Sequence, residues 1–412
     1  MSDRLRRILF AILFVLFTVA VGVAIWFVFF RTPPPSPVTT TPGGGATPGG
    51  TLPGAGLSTP SGAIPSAPAT GLPIAPTVPG ALIAPGAPEA ETLLLRDAVT
   101  QYASSGSDRQ GARYYNPDDS RFYRISTDGV TATLSDQTFP DVAAVTWGTA
   151  SDQAILEFPD GRKIHYDFRT QAQTTLPSHW EDFSFAPGDS SIVAKSVGVS
   201  PDSRFLVTSD PQARSPRAVE ALGQNASKTF PTWTPGGQII AYATVGEAQG
   251  LDRQDVILVG QNHENIRALQ VEGRGFLPLW SPDGNTVLYS VWSSTSDYRP
   301  ELWVSGGNPE NVNQNRTKLG LQTWADKCVW GDASILYCAV PERLPRGSGL
   351  DSTLFTEIPD AFYRVDLRTG AKTFLGRPPN DVSAKNLVVT QDRQHLLFTD
   401  VQTGKLYDFR IP

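Results

Sequence analysis

The segment richest in residues able to do chemistry is Trp280-Ser281-Pro282-Asp283-Gly284, within the stretch LPLWSPDGNTVLYSV at 277–291. A serine nucleophile needs a G-x-S-x-G elbow, and an EF-type calcium loop needs alternating oxygen ligands with a distal Glu. Neither pattern is present here. Proline fixes φ, Asp can bond its own backbone and Gly permits positive φ. The segment is therefore predicted to be a structural turn.

The two cysteines, Cys328 and Cys338, flank a similar turn after Trp330 and lie symmetrically about Ala333. On an antiparallel hairpin they would lie opposite each other, near the separation of a disulfide. We expect a cross-strand disulfide, with two buried thiols as the alternative and a metal site disfavoured.

The four histidines, His165, His179, His263 and His395, are scattered and lack metal-ligand spacing. The sequence also contains no cofactor motif. We therefore predict no catalytic, cofactor-binding or metal-binding residue and no cofactor.

The N-terminal residues predict a membrane anchor. Ile8 to Phe30 contains no charged residue, and about 20 apolar residues are enough for a helix to cross a bilayer. No A-x-A cleavage site follows. Arg4, Arg6 and Arg7 precede the span, which places residues 1–7 in the cytoplasm and everything after 8–30 outside. We expect a single-pass signal anchor in the cell membrane, with the remainder periplasmic or extracellular.

Residues 31–90 form a linker of Pro, Gly, Ala, Thr and Ser, with no charged residue from Thr32 to Pro88. Such a composition cannot bury enough apolar surface to offset its ordering entropy, so we predict a disordered tether. Charged residues make up 18% of the chain and its net charge is -6. Because that balance offers no phosphate-binding surface, nucleic acid is not an expected partner.

A repeat organises residues 91–412. Trp280 lies nine residues before Tyr289 in the next apolar run, and the same spacing recurs elsewhere with a turn in between. In the repeat following Trp330 the spacing is shorter. Each repeat continues with two further strand candidates, which is the pattern of a four-stranded propeller blade. The predicted blade anchors are Trp147, Phe185, Trp233, Trp280, Trp330 and Val389.

The predicted fold is an all-β, seven-bladed propeller of four-stranded antiparallel blades, and six or eight blades also fit the pattern. The last blade ends with a third strand at 405–410. Its fourth strand is expected from Glu91 to Arg96, which would tie the two ends of the ordered chain together and cover a sheet edge. The longest break in the repeat is the insertion 341–360, a candidate functional loop or a variable surface loop.

The W-S-P-D-G turn, the apolar strand after it and Pro300-Glu301-Leu302-Trp303-Val304 resemble the WD40-like repeats of TolB-type β-propellers. The resemblance covers about Glu91 to Pro412. It implies a binding platform in the bacterial envelope, without enzymatic activity of the repeat itself. The anchor and tether replace the cleaved signal and α/β domain of TolB, so the partners of TolB are not carried over.

These features predict an interaction or scaffolding module that binds another envelope protein or a surface polymer. No enzyme is expected, because no nucleophile elbow, metal spacing or cofactor motif is found. The alternative is a glycan-binding or glycan-processing propeller, a hydrolase or lyase, at the cell surface. A sensor for a small ligand is a third possibility. Carboxylates clustered at the mouth of the channel would favour an enzyme, whereas an uncharged aromatic face would favour binding.

Overall fold

The computed structural model describes residues 91–250, 252–379 and 381–412. The predicted cytoplasmic N-terminus, membrane span and linker lie outside these residues, so they stay predictions. Within the described ranges, no helix is long and apolar enough to cross a membrane. The helices found there are 3-10 turns of three to six residues, at Pro201–Ser203, Gly223–Lys228, Ser294–Ser296, Ala325–Lys327, Ser348–Leu350 and Ser352–Phe355.

The described chain forms seven four-stranded antiparallel sheets, which confirms the predicted seven-bladed propeller. Strand β1 (Thr92–Arg96) comes first in the chain and belongs to the last blade. Blades 1 to 3 contain β2 (Gln101–Ser105), β3 (Gly111–Asn116), β4 (Arg121–Ser126) and β5 (Thr131–Thr133); β6 (Ala144–Trp147), β7 (Gln153–Glu157), β8 (Lys163–Asp167) and β9 (Ala172–Leu176); and β10 (Trp180–Phe185), β11 (Ile192–Val197), β12 (Arg204–Ser209) and β13 (Arg217–Ala221).

The remaining blades follow the same order. Blades 4 to 7 contain β14 (Thr229–Pro231), β15 (Ile239–Ala243), β16 (Gln254–Gly260) and β17 (Leu269–Val271); β18 (Arg274–Trp280), β19 (Thr286–Trp292), β20 (Pro300–Gly306) and β21 (Thr317–Lys318); β22 (Cys328–Trp330), β23 (Ile335–Pro341), β24 (Asp360–Asp366) and β25 (Ala371–Gly376); and β26 (Ala384–Val389), β27 (His395–Asp400) and β28 (Leu406–Arg410) with β1.

The ring closes as the sequence predicted. Strand β1 pairs antiparallel with β28, with Thr92 opposite Phe409 and Leu94 opposite Tyr407. It is therefore the outermost strand of blade 7. The pairing joins both ends of the propeller in one sheet and covers the edge of β28 that would otherwise be open.

The core lies between blades, because the side chains of one strand alternate between its two faces. In β19, Val287 and Tyr289 belong to the apolar cluster shared with blade 4. The intervening Leu288 belongs to the cluster shared with blade 6. The second strand of a blade is thus covered on both faces. This explains why β15 and β23, the second strands of blades 4 and 6, are apolar and buried throughout.

The turn Trp280-Ser281-Pro282-Asp283-Gly284 is a structural corner, as the sequence predicted. The Asp283 carboxylate accepts hydrogen bonds from the Ser281 hydroxyl at 2.6 Å and the Asn285 amide at 3.1 Å. Gly284 has a φ of 71°, and a Cβ there would lie 2.4 Å from the Gly236 backbone nitrogen of the preceding blade. Only glycine satisfies both the positive φ and this close approach.

Candidate catalytic site at the mouth of the propeller

The first strands of successive blades contact one another around the centre, as β2 does with β6 and β26, and β10 does with β6 and β14. Turns between the first and second strands all lie on one side, which we call the turn face. Loops between the second and third strands, and the connections between blades, lie on the opposite side, which we call the mouth face.

The predicted blade anchors lie at the turn face. Phe185, Trp280, Trp330, Trp147 and Val389 each end the first strand of a blade, and Trp233 follows β14 by two residues. The indole Nε1 of Trp280 donates to the Gly307 carbonyl at 2.9 Å, which fixes the side chain beneath its own turn. The predicted cysteine pair flanks the Trp330 turn, with Cys328 opposite Cys338 in the hairpin and the two sulfurs joined.

Carboxylates at the turn face are used to hold neighbouring blades together. Asp189 of blade 3 accepts from the backbone amides of Thr149, Ala150 and Ser151 of blade 2. Burial alone would raise the pKa of Asp189, but these bonds and the two hydroxyls beside them hold it below its ordinary value. An ionised carboxylate with all its acceptor sites occupied is suited to structure rather than to catalysis.

The mouth face carries a different kind of acidic group. Glu157 ends β7, and Lys163 begins β8 directly opposite it. The Lys163 ammonium lies 3.8 Å from the Glu157 carboxylate and donates to the Ser178 carbonyl at 3.2 Å. Lys163 is buried, whereas one fifth of the Glu157 side chain is exposed. The carboxyl group therefore lies partly open at the end of its blade.

Blade 3 adds two more carboxylates beside this pair. Glu181 and Asp182 lie exposed on its first strand, where the register of β10 shifts and Asp182 adopts a left-handed φ of 52°. Asp182 forms an ion pair with the buried Lys195, which also donates to the Ala226 carbonyl at 3.3 Å. We call Glu157, Lys163, Glu181, Asp182 and Lys195 the mouth cluster.

One carboxyl group of the mouth cluster, that of Glu157, has a shifted pKa. Burial raises the pKa of Glu157 above its ordinary value of 4.5. Lys163 opposes that shift, while the negative charges of Asp182 and Glu181 reinforce it. A carboxyl with a raised pKa beside other carboxyl groups is an arrangement used for general acid and base catalysis.

An aromatic surface adjoins the mouth cluster on blade 4. Phe230, on the first strand of that blade, is 37% exposed and stacks on Tyr242 with ring centroids 5.0 Å apart. Burial, followed by the negative charge of Asp182, raises the pKa of Tyr242 to about 12. Because the charge of Asp182 acts on Tyr242, the aromatic pair lies beside the mouth cluster.

The insertion 341–360 also belongs to the mouth face, but it packs over blade 5. Gly347 and Gly349 donate backbone hydrogen bonds to the carbonyls of Asp297 and Tyr298 at 2.9 and 2.7 Å. Arg299 donates to the Leu344 carbonyl at 2.8 Å. The insertion is therefore attached to the neighbouring blade and contributes nothing to the mouth cluster.

The mouth cluster was not predicted from the sequence. Its only local signal is that Glu157 and Lys163 lie at the ends of apolar strands, where a charged side chain must find a partner. Of the histidines, His165 is buried and bonded to Gln153 at 2.6 Å. The described part of the chain contains no group of three His, Cys, Asp or Glu residues placed to hold a metal ion.

The fold is shared with solved propellers. An oligogalacturonate lyase in complex with manganese aligns with a TM-score of 0.56 at 15% identity, over 78% of this chain and 93% of that one. The oligogalacturonate lyase of Vibrio parahaemolyticus gives a TM-score of 0.55 at 12% identity, over 78% and 94%. The Cps50 (Swd1) β-propeller domain of Myceliophteria thermophila gives 0.52 at 10% identity, over 78% and 99%.

Identities this low show a common fold alone. No protein-family model matches the sequence, and no curated protein matches it either. The TolB-like and WD40-like resemblance is thus supported as a propeller architecture, without a family assignment.

The expectation that this chain is not an enzyme is contradicted by the comparison. That expectation rested on the absence of a nucleophile elbow, a metal motif and a cofactor motif, and on a resemblance that implied a binding platform. Two of the propellers that share the fold are lyases. A propeller of this fold can therefore be an enzyme, and the absence of those local motifs does not argue against catalysis.

Proposed function

We propose that this protein is a carbohydrate-processing propeller that cleaves glycosidic bonds of a polysaccharide at its mouth face. The observation that carries the proposal is Glu157, a carboxyl with a raised pKa at the centre of a cluster that also holds two ionisable carboxyls and two buried lysines. The two oligogalacturonate lyases on the same fold support a carbohydrate as the substrate.

Glu157 supplies the proton in this chemistry. As the bond between the sugar and the bridging oxygen breaks, the Glu157 carboxyl transfers its proton to that oxygen, which leaves as a hydroxyl. In a hydrolase, Asp182 or Glu181 accepts a proton from the water whose oxygen bonds to the anomeric carbon. In a lyase, the same carboxylate accepts the proton from the ring carbon, and a double bond forms.

The lysines and the aromatic pair have separate tasks. Lys195 forms an ion pair with Asp182, which orients that carboxylate. The exposed ring of Phe230, supported from behind by Tyr242, offers an apolar surface to the carbon-bound hydrogens of a sugar ring. Substrate orientation and proton transfer thus come from adjacent blades.

The test measures product release from a panel of neutral and uronate-containing polysaccharides. Reducing-end formation reports either reaction, and the ultraviolet absorbance of an unsaturated product identifies a lyase. Replacing a general acid costs roughly 10²–10⁴ in rate, so Glu157→Gln and Asp182→Asn are expected to lose activity on that scale.

The matched control is Asp160→Asn, in the exposed loop between the strands that carry Glu157 and Lys163. It removes a carboxylate from the same loop and is expected to keep full activity. A Glu157→Gln protein that cleaves its substrate as fast as the wild type would overturn the assignment.

We further propose that the propeller is displayed outside the cell membrane by the N-terminal anchor and linker. A surface polymer is then the partner that best fits a carbohydrate-processing site, and the interaction-module reading has less support. Labelling intact and permeabilised cells with a membrane-impermeant amine reagent tests this location. Lysines of the propeller should react in intact cells or in cells with only the outer membrane opened, and protection in both would contradict it.

A further inference from the structure

A concave site separate from the mouth cluster lies on the mouth face, between the outer parts of blades 4 and 5. It is a groove with a volume of about 590 Å³. Its walls include Arg253 and Glu272 of blade 4 and Glu301, Trp303 and Lys318 of blade 5. We propose that this groove is an accessory subsite that binds sugar residues of an extended polysaccharide.

The charged groups of the groove are held in place by one another. Arg253 donates two hydrogen bonds to the Glu272 carboxylate, from Nε to one oxygen at 2.8 Å and from Nη2 to the other at 3.0 Å. Arg316 reaches the same carboxylate at 3.1 Å. Across the groove, the Lys318 ammonium lies 2.5 Å from the Glu301 carboxylate. These ion pairs fix the orientation of the donors and acceptors in the absence of a ligand.

An aromatic side chain lines the groove beside these charged groups. Trp303 packs with its ring against the core cluster of blades 4 and 5 and is only partly buried, so part of it faces the groove.

The lining of the groove thus combines charged pairs with an aromatic ring. A sugar residue matches this combination. Its hydroxyls can donate to the carboxylates and accept from Arg253 and Lys318, while its apolar face can lie against Trp303. The three carboxylates Asp252, Glu272 and Glu301 and the cations Arg253 and Lys318 nearly balance in charge, which favours a hydroxyl-rich ligand over an ion.

The position of the groove fits a polymer. The mouth cluster and the aromatic pair of Phe230 and Tyr242 lie at the inner part of blades 2 to 4, on the same face. Blade 4 contributes to both sites, with its first strand at the mouth and its outer strand at the groove. A saccharide chain entering the mouth can therefore continue outward over blade 4. This inference rests on the proposed function, because the polymer that fills the groove is the one cleaved at the mouth.

The test is a comparison of binding against chain length. Cello-oligosaccharides and oligogalacturonates of two, four and six residues are titrated calorimetrically against the Glu157→Gln protein, which does not consume them. The disruptive variants are Arg253→Gln with Lys318→Gln, both on partly exposed side chains. The control is Arg267→Gln, which lines a separate cavity of about 450 Å³ formed by the turn-face loops of the same two blades.

The proposal predicts that affinity rises from disaccharide to hexasaccharide and that the groove variants lose this gain. Losing charge-assisted hydrogen bonds should weaken hexasaccharide binding roughly ten- to hundredfold, with the disaccharide and the Arg267→Gln control unaffected. Unchanged thermal melts establish that the variants are folded. Hexasaccharide binding that survives in folded groove variants, or the absence of binding to either series, overturns the proposal.

The two proposals fail separately. Length-dependent binding that needs Arg253 and Lys318, in a wild-type protein without turnover, sustains the groove and overturns the proposed function. Turnover that depends on Glu157, together with hexasaccharide binding indifferent to the groove variants, overturns the groove and sustains the function.

Discussion

The mouth cluster predicts that Glu157→Gln makes the protein more stable at neutral pH while abolishing its activity. Burial and two neighbouring carboxylates raise the pKa of Glu157 in the folded state above its value in the unfolded chain. Between these two values the folded state binds more protons than the unfolded state, so stability falls as pH rises through that window. Above the folded pKa, the ionised carboxylate carries its full penalty. Glutamine has the same shape and no charge, so the penalty disappears.

The size of the effect follows from the same linkage. Each pKa unit between the folded and unfolded states corresponds to about 1.4 kcal/mol. The propeller has about 320 residues, and its unfolding entropy near 60 °C is about 2.1 cal/mol/K per residue. A pKa difference of one unit therefore corresponds to a melting temperature about 2 °C higher in Glu157→Gln than in the wild type. Lys163 keeps its hydrogen bond to the Ser178 carbonyl at 3.2 Å, which limits any loss from removing its carboxylate partner.

Thermal denaturation measured across pH checks this prediction. The melting temperatures of wild type and Glu157→Gln should coincide below the unfolded pKa and diverge above it, with the variant higher. Asp160→Asn, on the exposed loop, should follow the wild type at every pH. A Glu157→Gln protein that melts below the wild type at neutral pH would contradict a raised pKa for Glu157, because the carboxylate would then stabilise the fold.

Three further predictions concern the scaffold. Trp280→Ala removes a buried anchor and its bond to the Gly307 carbonyl, so chemical denaturation should show a loss of about 3–5 kcal/mol; a change below 1 kcal/mol would contradict a core role. A chain beginning at residue 97 lacks β1 and exposes the edge of β28, so it should melt lower and aggregate more than a chain beginning at residue 91. Replacing both Cys328 and Cys338 with alanine should cost about 3 kcal/mol, and peptide mapping of the wild type without reductant should recover the two joined.

Much of the fold was predictable because one local unit recurs. A large side chain at the end of a first strand, a turn built by Pro, Asp and Gly, and an apolar second strand satisfy the same interblade geometry each time. The fourth strand of blade 7 could also be placed, since the chain ended after a third strand and a spare apolar segment preceded the first blade.

Local bulges limited the accuracy of the boundaries. Residues 98–102 have the sequence pattern of a strand, whereas the first strand of blade 1 lies at Gln101–Ser105. Thr100 instead bonds the Gly404 carbonyl of blade 7, and Tyr102 adopts a left-handed φ of 53° where the register of β2 and β3 shifts. A single sequence does not reveal such a bulge, because the residues on either side keep their strand character.

The candidate site could not be predicted, because its parts come from different repeats. Glu157 lies on the second strand of blade 2, and Asp182 lies on the first strand of blade 3. Their proximity depends on which face of each strand the side chains take, and at Asp182 that is altered by a bulge. Neither residue belongs to a motif with a fixed spacing. The missing local motif, taken as evidence against an enzyme, was therefore uninformative for this architecture.

The carboxylates of the propeller differ in whether hydrogen bonds or burial decide the direction of their pKa shift. On the turn face, hydrogen bonds outweigh burial and hold the pKa of Asp189 and Asp283 below its ordinary value, so these side chains stay ionised and engaged. At Glu157 and Asp360, both on the mouth face, burial outweighs the bonds and raises the pKa. Asp360 is nonetheless bonded by Lys327 and the Ala384 amide, each at 2.7 Å, and is enclosed between two blades. Of these four carboxyl groups, Glu157 alone combines a raised pKa with a partly exposed position. It is therefore the carboxyl best suited to transfer a proton to a substrate.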